Sequence, residues 1–343
     1  MAAKAQDHTS YRALCAELAA QAPKTLYVFT GEERYLLEHS VRQLRALLLE
    51  SGTDDFNYRR FEGKGLTVAE LVQAVDAVPL FAQRTLVEVY DYAFDDRNEE
   101  EKKQLLQMLT QLPDYVCLVF IFDTLAFKLD GRSKINMELK KVLNVVSFEL
   151  QEQSELVKWI RKRLRAVDKA ISPADAEYLS FLTGGQMTAL ASEIEKVAAY
   201  SRTETVTRTD IDAVVIPAPE TEAYKLSDAL VKGNTESAVQ ILGTLFQMRI
   251  APHKILFWVA RDLRWLLAAR LCVEGKRGTD ELIRLCGIRY RFQADNLMRA
   301  ARNRSLDWCR NALLRCCETA YLLNTTGSTD DTLLKDLLIR LST

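Results

Sequence analysis

The feature of this sequence that most restricts its fold is a change of pattern near residue 150. Up to that point, short β-branched or aromatic runs alternate with amphipathic helical patterns; beyond it, only helical patterns remain. Alternation of this kind is typical of right-handed βαβ units, whose strands form a parallel sheet. We therefore predict an α/β fold with a five-stranded sheet, with strands at TLYVFT (25–30), FNYRRFEG (56–63), TLVEVYD (85–91), YVCLVFIFD (115–123) and VVSFEL (145–150).

The fourth of these strands is apolar on both faces, which indicates a central position in a sheet covered by helices. Helices are predicted between the strands at 33–50, 66–78 and 98–112, and after the sheet at 154–167, 172–182, 186–201, 207–215 and 252–275. Residues 217–226 are predicted to be a linker. We expect three domains: an α/β domain (1–150), a small helical lid domain (151–217) and a C-terminal helical domain (218–343).

Composition excludes several classes of function. No apolar run reaches the roughly 18 residues that a membrane span needs, and the sequence starts without the apolar core of a signal peptide, so we expect a cytoplasmic protein. Seven cysteines without a C-x-x-C pair and only three scattered histidines favour reduced, buried thiols over a zinc site. We expect no metal and no cofactor. With a net charge of −1, any DNA contact is expected to be local and shared with partners.

An α/β sheet followed by a small helical domain resembles the order of elements in AAA+ nucleotide switches. In such proteins the first strand leads into G-x-x-x-x-G-K-[ST], whose backbone amides hold phosphate and whose lysine neutralises its charge. Here the first strand ends at Gly31, but the second glycine, the lysine and the hydroxyl are replaced by Leu36, Leu37 and Glu38. Two leucines and a carboxylate cannot supply that chemistry.

A second nucleotide-contacting element is also altered. In the helical domain of AAA+ proteins a sensing arginine is expected in a G-x-M-R arrangement, and this chain has Thr188 at the arginine position. Asp91, at the end of the third strand, is interpreted as a solvated or turn-capping residue, and Gly63 with Lys64 as a turn. We therefore predict an AAA+-like fold with a degenerate, non-functional nucleotide site.

Five segments together resemble one known family. They are YVFTGEERYLLE (27–38), AVPLFAQRTLVEV (77–89), LTGGQMTALASEIEKVAAY (182–200), APHKILFWVARDLRWLL (251–267) and CCETAYLLNTTG (316–327). None is a catalytic signature, but their order and spacing resemble the delta subunit of the bacterial DNA polymerase III clamp loader. The resemblance implies an oligomerisation collar in the third domain. It also implies no catalytic site in this chain, although the whole assembly is a DNA polymerase and hence a nucleotidyltransferase.

In that family the first domain grips the sliding clamp with a hydrophobic pair at the tip of a helix. By resemblance, the clamp-binding residues here are Val78, Pro79, Leu80 and Phe81, with Pro79 ending the helix and projecting the two residues after it. The pattern alone leaves an alternative open, in which Leu80 and Phe81 close the bottom of the sheet.

The function that the resemblance implies is mechanical. The chain would bind the sliding clamp (the beta subunit) and open the ring for loading onto primed DNA. Its partners would be the other clamp-loader subunits, gamma/tau and delta prime, with ATP hydrolysed by neighbouring subunits. Two other functions remain open: an active AAA+ or P-loop NTPase with an atypical nucleotide site, and a helical scaffold unrelated to replication.

Basic residues are concentrated in three helical stretches. KWIRKRLR (158–165) contributes the candidate DNA contacts Arg161, Lys162 and Arg165. The other two stretches add Arg261, Arg264, Arg270, Arg289, Arg291, Arg299, Arg302 and Arg304. Each could meet phosphate in a primer–template duplex. The alternative for any single cluster is a solvated helix face.

Overall fold

The computed structural model describes residues 9–49, 54–325 and 330–342. The chain forms two compact units, residues 1–151 and 152–343. The first is a parallel α/β unit and the second is helical apart from two short strands. The predicted fold class, an α/β part with a parallel sheet followed by a helical part, is thereby confirmed. The further division of the helical part at residue 217 stays a prediction.

The first unit is built around one parallel sheet. Its strands are β1 (Thr9–Ser10), β2 (Leu26–Gly31), β3 (Tyr58–Glu62), β4 (Thr85–Tyr90), β5 (Val116–Ile121) and β6 (Val145–Phe148). They lie in the order β1-β6-β2-β5-β4-β3, and every pairing is parallel. All five predicted strands are present. The additional strand, β1, is a two-residue edge strand that the sequence pattern did not indicate.

Helices accompany this sheet between the strands. Within the described residues they are α1 (Tyr11–Ala19), α2 (Arg34–Leu48), α3 (Asp54–Asn57), α4 (Val68–Val75), α5 (Glu99–Thr110) and α6 (Lys134–Val142). Capping boxes start two of them, Thr67 with Glu70 at α4 and Asn98 with Glu101 at α5. Every residue of β5 is buried, which confirms its predicted central position.

A buried ionic group ties α2 to the sheet. Glu88 on β4 is buried and accepts hydrogen bonds from Arg45 Nε and Nη2, at 2.7 and 2.5 Å, and from the Tyr58 hydroxyl at 3.0 Å. The hydrogen bonds from Arg45 to this carboxylate raise the pKa of the guanidinium above its usual value. A buried carboxylate is tolerated only with such partners, so the group fixes α2 and the start of β3 against β4.

The second unit is predominantly helical. Its helices are α7 (Gln153–Arg165), α8 (Pro173–Leu182), α9 (Met187–Tyr200), α10 (Arg208–Val214), α11 (Pro219–Val231), α12 (Thr235–Gln247), α13 (Pro252–Glu274), α14 (Thr279–Cys286), α15 (Arg291–Ala301), α16 (Leu306–Thr325) and α17 (Asp330–Ser342). Two short strands, β7 (Ala170–Ile171) and β8 (Thr205–Val206), pair in parallel. The expectation that no strand follows residue 150 is therefore wrong. The sequence pattern did not indicate β7 and β8, because a two-residue strand is too short to show alternation.

Residues 217–226 are not a linker throughout, because α11 starts at Pro219. A proline at the first helical position is favourable, since its fixed φ suits the helix and its missing N–H is not needed there. Both ends of α8 are capped. Ser172 Oγ accepts a hydrogen bond from the Asp175 amide at 3.0 Å, and Gly184 and Gly185 end the helix with φ values of +66° and +69°.

Apolar residues of α13 form much of the core of the second unit. Its apolar side chains are buried at Ile255, Leu256, Trp258, Val259, Leu263 and Leu266, and partly buried at Leu267. Four of the seven cysteines are buried as well, and burial raises the pKa of the Cys117 thiol to about 12. Among the helices of the described residues, none is long and apolar enough to cross a membrane.

Candidate functional site

The candidate site is the segment 76–84, which connects α4 to β4 and is called the apolar loop below. Because β3 and β4 pair in parallel, with Tyr58 opposite Leu86, both strands begin at the same edge of the sheet. The apolar loop therefore lies at the amino edge, next to the end of α3.

The helix before this loop ends earlier than predicted. The last residue of α4 is Val75, and Asp76 is its C-cap. The Tyr115 hydroxyl donates a hydrogen bond to the Asp76 carbonyl at 3.3 Å, so this carbonyl has a partner outside the helix. The prediction that Pro79 ends the helix is wrong: the chain has already left the helical conformation when it reaches the proline.

The apolar side chains of the loop face outward. Val78 is 70% exposed, Leu80 52% and Phe81 88%, while Pro79 is half-buried. The alternative interpretation, in which Leu80 and Phe81 close the bottom of the sheet, is therefore wrong. Scattered exposed apolar residues are ordinary, but three within four consecutive positions of one loop form a local apolar surface.

The main chain of the loop is held in place although its side chains are exposed. Leu80 N donates to Asn57 Oδ1 at 2.8 Å, and Asn57 Nδ2 donates to the Leu80 carbonyl at 2.8 Å. Phe81 then adopts a left-handed backbone conformation with φ of +56°, which is unfavourable for a residue that carries a Cβ atom. The two hydrogen bonds stand directly before this unfavourable residue.

Sequence reasoning missed two residues at this edge. Phe56 and Asn57 were taken as the start of the second predicted strand, but the structure places them in α3, directly before β3. Phe56 is exposed and Asn57 is buried. Their polar and apolar sequence context gave no signal, because the partner of Asn57 lies 23 residues away along the chain.

The predicted nucleotide site lies at the opposite, carboxyl edge of the sheet, where β2 ends. Gly31 has a φ of +137°, and a Cβ atom there would lie 2.2 Å from the carbonyl oxygen of Phe148 on β6. Leu36 and Leu37 are buried in the first turns of α2, and Glu38 is exposed. The positions predicted to be degenerate therefore hold two core side chains and a solvated carboxylate.

Acidic residues also occupy this edge. Glu33 is buried and accepts a hydrogen bond from the Tyr35 amide at 3.3 Å, as the N-cap of α2. Arg34 forms an ion pair with Asp123 at 2.7 Å and donates to the Phe122 carbonyl at 3.0 Å. These contacts direct the charged groups of Glu33 and Arg34 towards the protein itself.

Asp91 caps a turn, as one of its two predicted roles requires. Its carboxylate accepts hydrogen bonds from the amides of Asp123, Thr124 and Leu125, at 2.9 to 3.1 Å, and from the Thr124 hydroxyl at 2.6 Å. Partial burial opposes ionisation, but the hydrogen bonds from Thr124 and its neighbours outweigh it and hold the pKa of Asp91 below its usual value. Gly63 and Lys64 lie in a turn, as predicted.

In the helical unit, Thr188 is exposed on the first turn of α9. The glycine of the same motif, Gly185, lies against the guanidinium of Arg289, so that a Cβ atom there would come 2.4 Å from Arg289 Nη1. A threonine at the position of the expected sensing arginine offers no positive charge.

The candidate DNA contacts share one helix. Lys162 and Arg165 are exposed on α7 and Arg161 is half-buried. On the same helix, Lys158 pairs with Glu155 and Arg163 with Glu195. Several of the other basic residues are held by partners inside the protein: Arg261 by Glu220 and Asp262, Arg270 by Glu274, Arg291 by Asp280, and Arg304 by the Val231 carbonyl.

Comparison with solved structures defines the class of protein. The chain is similar to the Bacillus subtilis DNA clamp loader delta protein, with a TM-score of 0.59 and 21% sequence identity over 97% of this chain and 99% of that one. At this identity the likeness shows the fold. The fold is therefore the one seen in that protein, an α/β unit followed by a predominantly helical unit.

Sequence comparison identifies the family. Residues 27–149 match the model of "DNA polymerase III, delta subunit", and residues 220–341 match that of the "DNA polymerase III delta subunit, C-terminal domain". Relatives include the DNA polymerase III subunit delta of Bacillus subtilis (strain 168), 23% identical over 75% of this chain and 76% of that protein. A probable DNA polymerase III subunit delta of Aquifex aeolicus (strain VF5) is 25% identical over 67% and 66%.

This chain belongs to the DNA polymerase III delta-subunit family. A subunit of this kind works within a complex with other subunits.

Proposed function

We propose that this chain binds the bacterial sliding clamp through Val78, Pro79, Leu80 and Phe81 and opens the ring for loading onto primed DNA. The observation that carries the proposal is the outward-facing apolar loop, whose main chain is held while Phe81 stays 88% exposed. Large apolar side chains presented in this way suit the central, fully desolvated contact of a protein interface.

The exposed side chains are large enough to matter energetically. Full burial of an apolar side chain contributes about 1.5–3 kcal/mol. Scaled by the exposed fractions of 88% and 52%, Phe81 offers about 2 kcal/mol and Leu80 about 1 kcal/mol. Together these correspond to roughly a hundredfold in affinity, before the cost of ordering the interface is subtracted.

To open the ring, a subunit must bind the open form of the clamp more tightly than the closed form; affinity alone is not sufficient. A ligand shifts an equilibrium between closed and open rings only by the difference between its affinities for the two states. We propose that the loop binds the open form of the clamp more tightly, so that a few kcal/mol of contact energy holds one interface of the ring apart. This is mechanical work that needs no bond-making group in the chain.

ATP hydrolysis is assigned to neighbouring subunits. The phosphate-binding positions of this chain hold the buried Leu36 and Leu37, which supports a chain that hydrolyses no ATP itself. In the proposed assembly the gamma/tau and delta prime subunits and primed DNA are partners, in the bacterial cytoplasm. Residues 1–150 serve as the clamp-binding domain, 151–217 as the lid and 218–343 as the oligomerisation collar.

The test is clamp binding by surface plasmon resonance, with the full chain flowed over immobilised clamp. We expect the double variant Leu80→Ala with Phe81→Ala to bind about a hundredfold more weakly. The matched control is Met137→Ala with Leu150→Ala, which removes two exposed apolar side chains elsewhere in the first unit. Wild-type affinity in the loop variant, or an equal loss in the control, would contradict the proposal.

The rival function, an NTPase with an atypical site, is tested on the same preparation. Isothermal titration calorimetry with ATP and magnesium distinguishes the two. Our proposal predicts no binding at micromolar ATP, because buried leucines and nearby carboxylates oppose a phosphate group. Micromolar affinity with turnover of ATP by the isolated chain would support the rival. A helical scaffold unrelated to replication would bind neither ATP nor the clamp.

A further inference from the structure

The side chain of Asn57 makes two hydrogen bonds to the main chain of Leu80, as a neighbouring β-strand would. Its carboxamide oxygen accepts the Leu80 N–H and its amide nitrogen donates to the Leu80 carbonyl, each at 2.8 Å. Both main-chain polar groups of Leu80 are thus paired by one side chain. The pairing spans 23 residues of sequence, so it is a tertiary contact and not a local turn.

The position of Asn57 is restricted by the elements on both sides of it. It is the last residue of α3, and the next residue, Tyr58, is already paired with Leu86 in the sheet. Asn57 is only 1% exposed, so water has little access to its amide, and a buried amide requires hydrogen-bond partners inside the protein. The orientation of the carboxamide is therefore fixed by the loop that it holds.

The contact lies directly before Phe81, the most exposed of the large apolar side chains of the loop. Phe81 has a left-handed φ of +56°, a conformation that a residue with a Cβ atom avoids unless its surroundings impose it. Holding the Leu80 carbonyl fixes the peptide plane that joins Leu80 to Phe81. Through this peptide plane, Asn57 acts on the direction in which the Phe81 side chain leaves the loop.

We propose that Asn57 is a positioning residue for clamp binding, which holds the apolar loop in its binding conformation before the clamp arrives. This inference rests on the proposed clamp-binding function of Leu80 and Phe81. A loop that is already ordered loses less conformational freedom on binding, so preorganisation appears as affinity. The alternative role is structural: Asn57 would only join α3 to the loop, and the clamp would be indifferent to it.

The first measurement follows the free chain and needs no clamp. In hydrogen–deuterium exchange with mass spectrometry, the Leu80 amide is protected because it donates to Asn57 Oδ1. We expect Asn57→Ala to accelerate exchange in the peptide covering residues 76–84 by at least tenfold, with the peptide covering β5 unchanged. Unchanged exchange at Leu80 would overturn the proposal at its first step.

The second measurement is clamp affinity. We expect Asn57→Ala to weaken binding about tenfold, which corresponds to about 1.4 kcal/mol. The matched control is Asn136→Ala, because Asn136 is equally buried in the same unit and donates to Asp95 and the Asp130 carbonyl, away from the loop. This control should lose stability and keep its clamp affinity. An equal loss of affinity in both variants would show a general structural effect and overturn the proposal.

A double-mutant cycle separates positioning from direct contact and from failure of the underlying function. In the Leu80→Ala, Phe81→Ala background, Asn57→Ala should cause no further loss of clamp affinity, since the side chains that it would position are already removed. A further tenfold loss there would refute positioning. If the loop variant itself binds like wild type, the proposed clamp-binding function fails, whatever Asn57 does. If Asn57→Ala does not fold, Asn57→Ser carries the same expectations, because one hydroxyl cannot pair with both Leu80 groups.

Discussion

Replacing Phe81 with glycine should separate the stability of the first unit from its clamp affinity. Phe81 is the most exposed apolar side chain of the loop and has a left-handed backbone, with φ of +56°. Its side chain gives little to the core, whereas its backbone conformation carries a cost. A residue that stabilises the fold would instead have a buried side chain and a favourable backbone conformation.

The expected change in stability follows from two opposing contributions. The left-handed conformation costs a residue with a Cβ atom about 1–2 kcal/mol, and glycine avoids this cost. Glycine loses more backbone entropy on folding, about 0.5–1 kcal/mol. We therefore expect the free energy of unfolding of Phe81→Gly to stay the same or to rise by up to about 1 kcal/mol.

The expected change in clamp affinity has the opposite sign. Phe81 keeps 88% of its surface exposed, so its removal forfeits about 2 kcal/mol of burial in a partner, or roughly thirtyfold in affinity. Phe81→Ala is the matched control. It should lose a similar affinity but gain no stability, because alanine retains the Cβ atom.

Native-state hydrogen exchange is the appropriate assay for stability, because all four tryptophans lie in the second unit and their fluorescence reports on that unit. The slowest amides of β5 give the free energy of opening of the first unit. A loss of more than about 1 kcal/mol in Phe81→Gly would mean that the ring supports the core. That result, or wild-type clamp affinity, would refute the reasoning.

Two further predictions concern charged groups. Replacing Arg161, Lys162 and Arg165 with alanine should reduce the slope of log affinity against log salt for primed DNA by up to about 2–3 in the assembled complex, since each phosphate contact contributes about 0.9. Lys158→Ala is the control, because Lys158 pairs with Glu155. An unchanged slope in the triple variant would exclude these contacts. Asp91→Asn should lower the free energy of unfolding by about 1 kcal/mol at neutral pH. Because the folded pKa of Asp91 is lowered, its contribution is present above the unfolded value near 4 and is lost as pH falls through the folded pKa. Denaturant titrations should thus show the difference between the two proteins vanish in acid, and a difference that is independent of pH would contradict the role of the charge.

The sheet could be predicted because each of its long strands carries its own signal. A continuous apolar run marks β5, a run rich in β-branched residues marks β4, and helical periodicity separates them, so the order of elements is readable without tertiary information. Strands of two residues, such as β7 and β8, show no alternation and were missed. The start of α11 was misread because proline is usually a breaker, although it is favourable at the first helical position, as at Pro219.

The candidate site could be predicted only in part. Its apolar side chains are close together in the sequence, but the residues that hold the loop in place are distant from it along the chain. The resemblance points to Leu80 and Phe81, and both are exposed as a binding anchor requires. Neither the early end of α4 nor the pairing of Asn57 with Leu80 follows from periodicity. Both depend on groups that the fold brings together: the Tyr115 hydroxyl at the end of α4, and the Asn57 carboxamide at the end of α3.

The geometry of a parallel sheet places the apolar loop and the glycine at the end of β2 at opposite edges of the first unit. All amino ends of the strands lie at one edge, with the apolar loop, and all carboxyl ends at the other, with Gly31. At the carboxyl edge, Leu36 and Leu37 now contribute to the core, about 1.5–3 kcal/mol each when fully buried. Gly31 itself needs no phosphate to explain it, since a Cβ atom would collide with the Phe148 carbonyl. The side chains that support the carboxyl edge are therefore different from those that make the contact between Asn57 and Leu80 at the amino edge.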